Sequence, residues 1–203
     1  MRVCSAVWIC ASFAGVSAYV RHIDSVTVPV LFQDGNEWVR TSGNDGTAKV
    51  YGLEVELKTR LRAFVADGPD IEARANLARN WSFVSSVPRP NNGLSSQIPM
   101  SANIGFDYHV VTGVATGFNY SYRSGVLAKV TPSWTTGNYP KRTLDLYCSW
   151  KADAKTDFRL SISNLLHQDQ TDFAYYTDLT GDSYRTVTSP YKTSVRLTFE
   201  RKL

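Results

Sequence analysis

Apolar and polar residues alternate along most of this chain. In the last segment, Thr193–Leu203, the residues Val195, Leu197, Phe199 and Leu203 share one parity, and Arg196, Thr198, Glu200 and Lys202 share the other. Side chains of a strand point alternately to its two faces, so the segment reads as a strand with one apolar and one charged face. Ala48–Leu61 repeats the pattern, with Tyr51, Leu53, Val55, Leu57 and Leu61 set against Glu54, Glu56, Lys58 and Arg60. Ile71–Phe83 sets Ile71, Ala73, Ala75, Leu77, Trp81 and Phe83 against Glu72, Arg74, Asn76, Asn80 and Ser82, and Arg79 interrupts the apolar parity. Ala102–Val110, Val114–Tyr122, Thr143–Lys151 and Asp157–Ser163 alternate likewise. Ala11–Asp24 reads as a strand in which Phe13, Tyr19 and Ile23 share a parity.

Turn chemistry separates these runs. Gly43-Asn44-Asp45-Gly46, Asp67-Gly68-Pro69-Asp70 and Thr112-Gly113 are turn signals, while Val87–Ser96, Thr131–Arg142 and Gln168–Ser189 read as longer polar loops. No segment of helical length carries a 3.6-residue apolar stripe. The pattern predicts an all-β fold, an antiparallel meander of about eight to nine long strands. Strands near ten residues exceed the five or six usual in a sandwich. Long strands with one apolar and one charged face, joined by uneven loops, mark a partial or small transmembrane β-barrel of the outer-membrane kind. A small autonomous outer-membrane barrel serving as pore or adhesin, or a soluble β-barrel or sandwich that binds a small ligand, stays open as the alternative.

Composition narrows the class. The 203 residues carry 20% charged and 43% hydrophobic side chains with a net charge of +4, which fits a folded chain rather than a disordered one. Aromatics reach 12%, and Tyr leads them; such rings suit a membrane interface, where one side is apolar and the other wet. Lysines and arginines are dispersed without a stacking motif, so nucleic acid is not an expected partner. Cys4, Cys10 and Cys148 form no CxxC pair and have no His at ligand spacing, which predicts buried thiols and no metal. His109, Asp107 and Ser121 could be imagined as a triad. There is no G-x-S-x-G elbow or oxyanion-hole signature, so the expectation is no catalytic residue, no cofactor and no enzyme activity. Met1–Ala18 has one Arg, an apolar run and a small-x-small ending. It reads equally as a short secretory leader, as an accidental start, or as ordinary strand.

On a barrel, alternation assigns the faces. Glu54, Glu56, Lys58, Arg60, Glu72 and Arg74 are lumen-facing candidates. Tyr51, Leu53, Val55, Leu57, Val195, Leu197 and Phe199 are lipid-facing candidates. Tyr175, Tyr176 and Tyr184, in the tyrosine-rich stretch, are candidates for touching a ligand from an external loop.

Several stretches resemble the C-terminal part of the barrel of TonB-dependent outer-membrane receptors. They are Tyr19-Val20-Arg21-His22-Ile23-Asp24, the run Asn44–Glu56 with its N-x-G-x-A-x-x-x-G-x-E-x-E spacing, Pro99 ahead of Ala102–Tyr108, Ser163-Asn164-Leu165-Leu166 after Leu160–Ile162, and the terminal strand. The resemblance covers about Ala11 to Leu203. It implies residence in the bacterial outer membrane and uptake of a large solute such as an iron–siderophore complex, by binding and plug movement without covalent chemistry. It also implies outer-membrane lipid, the barrel-assembly machinery and the TonB energy-transducing protein as partners. The family's plug domain and TonB-contacting box have no room here, and Leu203 stands where the family usually ends in an aromatic. The expectation is a barrel segment over 19–203, from a truncated, frameshifted or split reading frame, that does not transport alone.

Overall fold

The computed structural model describes residues 2–9, 12–87, 89–179 and 181–202, with side chains from residue 12 onward except at positions 29, 31, 33, 38, 40 and 178. Met1, Cys10, Ala11, Leu203 and the side chain of Cys4 lie outside the described residues, so the expectations for those thiols and that terminus do too. The first strands are β1 (Arg2–Ile9), β2 (Ser12–Asp24), β3 (Thr27–Asp34), β4 (Glu37–Asn44), β5 (Thr47–Arg60), β6 (Asp70–Val84), β7 (Met100–Val111) and β8 (Val114–Arg123). Then follow β9 (Val126–Thr131), β10 (Trp134–Asn138), β11 (Lys141–Lys151), β12 (Thr156–Ser163), β13 (Gln170–Asp178), β14 (Gly181–Ser189) and β15 (Ser194–Arg201). A single 3-10 turn, Leu61–Ala63, is the helical element among the described residues. No helix there is long and apolar enough to cross a membrane, which leaves strands untouched as a means of crossing.

Nine strands form one antiparallel sheet in the order β1-β2-β5-β6-β7-β8-β11-β12-β15. The sheet is an all-β meander, as its alternation predicts. Among the described residues it is open, with β1 at one edge and β15 at the other. Arg2–Ile9, inside the segment with leader-like composition, is strand paired to β2.

The connections differ sharply between the two ends. At one end β5 and β6 are joined by residues 61–69, β7 and β8 by 112–113, and β11 and β12 by 152–155. At the other end the connections run over 25–46, 85–99, 124–140 and 164–193. Two of these long connections correct the expectation of plain loops. Thr131–Arg142 holds β10, and Gln168–Ser189 holds the β13–β14 hairpin; with β9 they form a second sheet, β14-β13-β10-β9. Backbone amides and carbonyls need partners, and in long excursions they find them in each other. These strands lack a clean apolar face, so period-two reading did not find them.

Register lines up the two faces of the large sheet. One row runs Ala73, Phe106, Phe118, Leu146, Ile162, Val195 across six strands. Another runs Ala14, Leu57, Ala75, Ile104, Tyr120, Leu144. Aromatics cluster toward both ends of this face. Trp150, Phe158 and Phe199 stack near the short turns, with centroids 5.4 Å and 5.2 Å apart. Tyr51 and Phe83 meet edge-on at 6.5 Å near the long connections, beside Trp81. Among the described residues no second layer covers the face: Leu197 is 72% exposed, Val195 68% and Leu57 45%. The packed apolar cluster is small and sits at the long-connection end, where Val26, Ala48, Val84 and Val87 pack with Ile23, Val28 and Leu94.

Phe13 and Tyr19 lie on the charged face, not with the apolar residues. Tyr19 is opposite Gly52, and its hydroxyl donates to Asn80 Oδ1 at 3.0 Å. Its ring occupies the space a side chain at 52 would need: a Cβ there would stand 2.0 Å from the ring. Tyr147 covers Gly117 in the same way, at 2.7 Å from such an atom. Glycine is required at both places: at 52 the Tyr19 ring fills the space, and at 117 the Phe106 carbonyl oxygen stands closer still than the Tyr147 ring. Gly52→Val is therefore expected to displace Tyr19 and to lower stability by about 1–3 kcal/mol, as overpacking does. Denaturant unfolding of the folded chain measures it, and Tyr19→Ala should remove most of the penalty of the valine.

Candidate functional site

The charged face of the large sheet is where the structure concentrates its ionic and hydrogen-bonding side chains. Alternation along β5 and β6 places Glu54, Glu56, Lys58, Arg60, Glu72 and Arg74 there together. Glu72 takes two cations: Lys58 Nζ at 2.9 Å from Oε1 and Arg60 Nε at 3.4 Å from Oε2. Arg74 reaches the next strand, where its Nη1 is 2.9 Å from Asp107 Oδ2. The Tyr147 hydroxyl donates to the other oxygen of Asp107 from two strands further on. The Arg159 guanidinium sits 4.4 Å from the Tyr147 ring centre, extending the chain of contacts to β12. Asn103 Nδ2 donates to Asn76 Oδ1 at 2.9 Å, and Ser17 Oγ donates to Glu54 at 3.2 Å.

Small residues beside these groups leave two depressions. One, of about 320 Å³, is lined by Glu54, Glu56, Asn76 and Asn103 with Gly15 and Ser17. The other, about 100 Å³, adjoins it at Glu56, Arg74, Asn76, Asn103, Gly105 and Asn119. A carboxylate pair and amides make the first a polar, hydrated recess. Its neighbour carries the Arg74 cation. Such a surface can hold water, ions or the polar side of another polypeptide through solvated hydrogen bonds.

The tyrosine candidates lie on the second sheet. Tyr175 of β13 is directly opposite Tyr184 of β14, 40% and 60% exposed, and Tyr176 is the next residue, opposite Ser183. Tyr139 joins them from just after β10, its ring 5.4 Å from Phe173. A hydrogen bond from Thr186, then one from Tyr139, holds the Tyr184 phenol below the ordinary tyrosine value. Tyr139 is raised, because its hydroxyl hydrogen-bonds to Tyr184 and would lose that bond on ionising beside it.

No family model, curated protein or solved structure matches this chain. Its site is thus argued on geometry alone.

The triad residues are not brought together. His109 pairs with Ala115 in register and Ser121 with Asn103, six residues further along both strands, about 20 Å at the usual rise. His109 instead faces Asp70, with Nδ1 3.6 Å from the carboxylate, and Asp107 is taken by Arg74 and Tyr147. Among the described residues no group of three His, Cys, Asp or Glu side chains could hold a metal ion. Cys148 is exposed on the apolar face rather than buried, opposite Thr116 and Leu160.

Two features escaped the sequence. The Asp107–Tyr147–Arg159 contacts were signalled only by Tyr147 standing at the polar parity of its strand, between Asp145 and Ser149. Asn164, 4% exposed, gathers the neck of the last long connection. Its backbone amide donates to Asp145, its side chain to Tyr191 O, and its carbonyl accepts from Thr193 Oγ1.

Exposed ion pairs and charge-assisted contacts should separate on mutation. Glu72→Gln is expected to cost under about 1 kcal/mol and the loss should shrink in salt, because Lys58 and Arg60 are more than half exposed. Asp107→Asn should cost more, about 1–3 kcal/mol, since beyond its ion pair with Arg74 the carboxylate accepts a part-buried hydrogen bond from the Tyr147 hydroxyl. Unfolding midpoints at low and high salt measure both.

Proposed function

We propose that this chain forms part of the wall of an outer-membrane β-barrel, of the kind whose C-terminal portion it resembles in TonB-dependent receptors, and that it serves uptake of a large solute such as an iron chelate. The supporting observation is a pair of asymmetries in one sheet: an apolar face with aromatic ends and no covering layer, and short turns at one end with long connections at the other. In this reading lipid covers Tyr51, Leu53, Val55, Leu57, Val195, Leu197 and Phe199. Glu54, Glu56, Lys58, Arg60, Glu72 and Arg74 line the lumen, where their polar recesses face a plug or passing solute. The short turns lie on the periplasmic side. Tyr175, Tyr176 and Tyr184 lie outside the cell, on the hairpin sheet.

The open edges set the remaining requirement. Lipid offers no hydrogen bonds, so the outer rows of β1 and β15 need strands beside them. Further strands would close the wall, and a plug and the TonB partner would supply gating and energy. The chain's own contribution is passive: binding, lining and anchoring, with no covalent chemistry.

Charge scanning tests the placement. In lipid vesicles Val55→Arg should destabilise the folded sheet by about 2–4 kcal/mol, while Glu56→Arg, one residue away, should cost less than about 1 kcal/mol. Equal costs at the two positions would reject a lipid-covered face.

A further inference from the structure

On the long-connection side lies a cavity of about 400 Å³ that the barrel reading does not use. Its walls come from separate stretches of chain. Hairpin β3–β4 supplies Val28 and Val30, the turn into β5 supplies Asp45, the connection after β6 supplies Ser86 and Val87, and β13 supplies Tyr176, opposite the β9–β10 turn.

Part of the cavity is held firmly. Val28 and Val87 belong also to the packed cluster with Val26, Ala48 and Val84. The Asp45 amide donates to Val26 O at 2.8 Å, the Val26 amide to Gly46 O at 3.2 Å, and the Ser85 amide to Thr47 O at 2.9 Å. This collar fixes Asp45 and Ser86 on either side of Gly46. The Ser86 hydroxyl is shielded from solvent and has no hydrogen-bond partner among the described residues. That hydroxyl packs toward Gly46 and does not open onto the cavity, so the residue contributes wall and no polar contact. Among the described residues no lysine or arginine lines the cavity, and Asp45 is the one charged group there. The volume falls within the range of small-molecule sites, which pair apolar walls with a few placed polar groups.

We propose that this cavity binds a small organic cation: an apolar or aromatic body seated against Val28, Val30, Val87 and Tyr176, with an ammonium group at Asp45. A single carboxylate over valine walls selects a cation over a neutral or anionic molecule of the same shape. The inference does not depend on the membrane placement, because the cavity is built by segments outside the apolar band.

The test uses the full chain folded in zwitterionic micelles, with tyramine, 4-ethylphenol and 4-hydroxyphenylacetate as probes and empty micelles as blank. Saturation-transfer NMR and calorimetry read binding. Tyramine is expected to bind best, at least about tenfold tighter than the anion, a difference well within one charge contact. Asp45→Asn should erase the preference while the chain keeps its fold, seen in its strand circular dichroism. Val30→Trp, which fills the cavity from an exposed position, should remove binding of all three. Absence of saturable tyramine binding to the wild type would overturn the proposal. So would an unchanged preference order in Asp45→Asn, or full binding in Val30→Trp.

Discussion

Among the described residues nothing lies over the apolar face of the nine-stranded sheet, and the other features follow from that. A sheet in water buries one face against a second layer. Here the large sheet has aromatic and aliphatic rows with no partner layer. The chain exposes 13873 Å². A compact monomer of 22.6 kDa would expose about 9,500 Å² by the usual scaling. If roughly half of the excess is apolar, leaving it in water forfeits on the order of 50 kcal/mol at about 25 cal/mol per Å². Folding stabilities are about 5–15 kcal/mol. An uncovered face of that size needs another apolar medium, and lipid is one that also tolerates a one-layer sheet.

The charged face and the long connections then take complementary parts. In lipid, backbone groups must pair within the sheet, which the eight antiparallel ladders do everywhere except at the edges. The opposite face can stay wet, so ion pairs such as Lys58–Glu72 and Arg74–Asp107 need not be buried to be kept. They act as cross-strand ties of modest strength. Tyr19 over Gly52 and Tyr147 over Gly117 do similar work without charge, filling the space of absent side chains. The hairpins at the long-connection end gather what little apolar core there is, around Val26 and Ala48. They create the cavity with Asp45 where segments from several different connections converge.

How much of this could be read from residues alone varied with the physics involved. Wherever one face is apolar and the other charged, as in β5 with Leu53, Val55 and Leu57 against Glu54, Glu56 and Lys58, period-two reading located the strand and its faces. It failed in β10, β13 and β14, where residues such as Thr135, Thr136 and Tyr184 are polar or amphipathic on both sides. There the pairing is decided by backbone hydrogen bonds between distant excursions, which no local pattern records. Phe13, Tyr19 and Ile23 do share a face, but alternation alone does not say that it is the charged one, where Phe13 stands opposite Lys58 and Tyr19 opposite Gly52. The site was legible as a list of charges but not as a network. That Glu72 holds two cations, or that Tyr147 joins Asp107 to Arg159, depends on register between strands far apart in sequence.

The central claim is that lipid covers the apolar face, and spin labels along β5 test it most directly. Single cysteines at 53, 54, 55, 56, 57 and 58, in a background with the native cysteines replaced, would carry nitroxides in the chain folded into vesicles. Oxygen partitions into lipid, and a nickel chelate stays in water. The account predicts a strict two-residue alternation, with 53, 55 and 57 more accessible to oxygen and 54, 56 and 58 more accessible to nickel. Nickel accessibility at all six positions, or loss of the alternation, would contradict it.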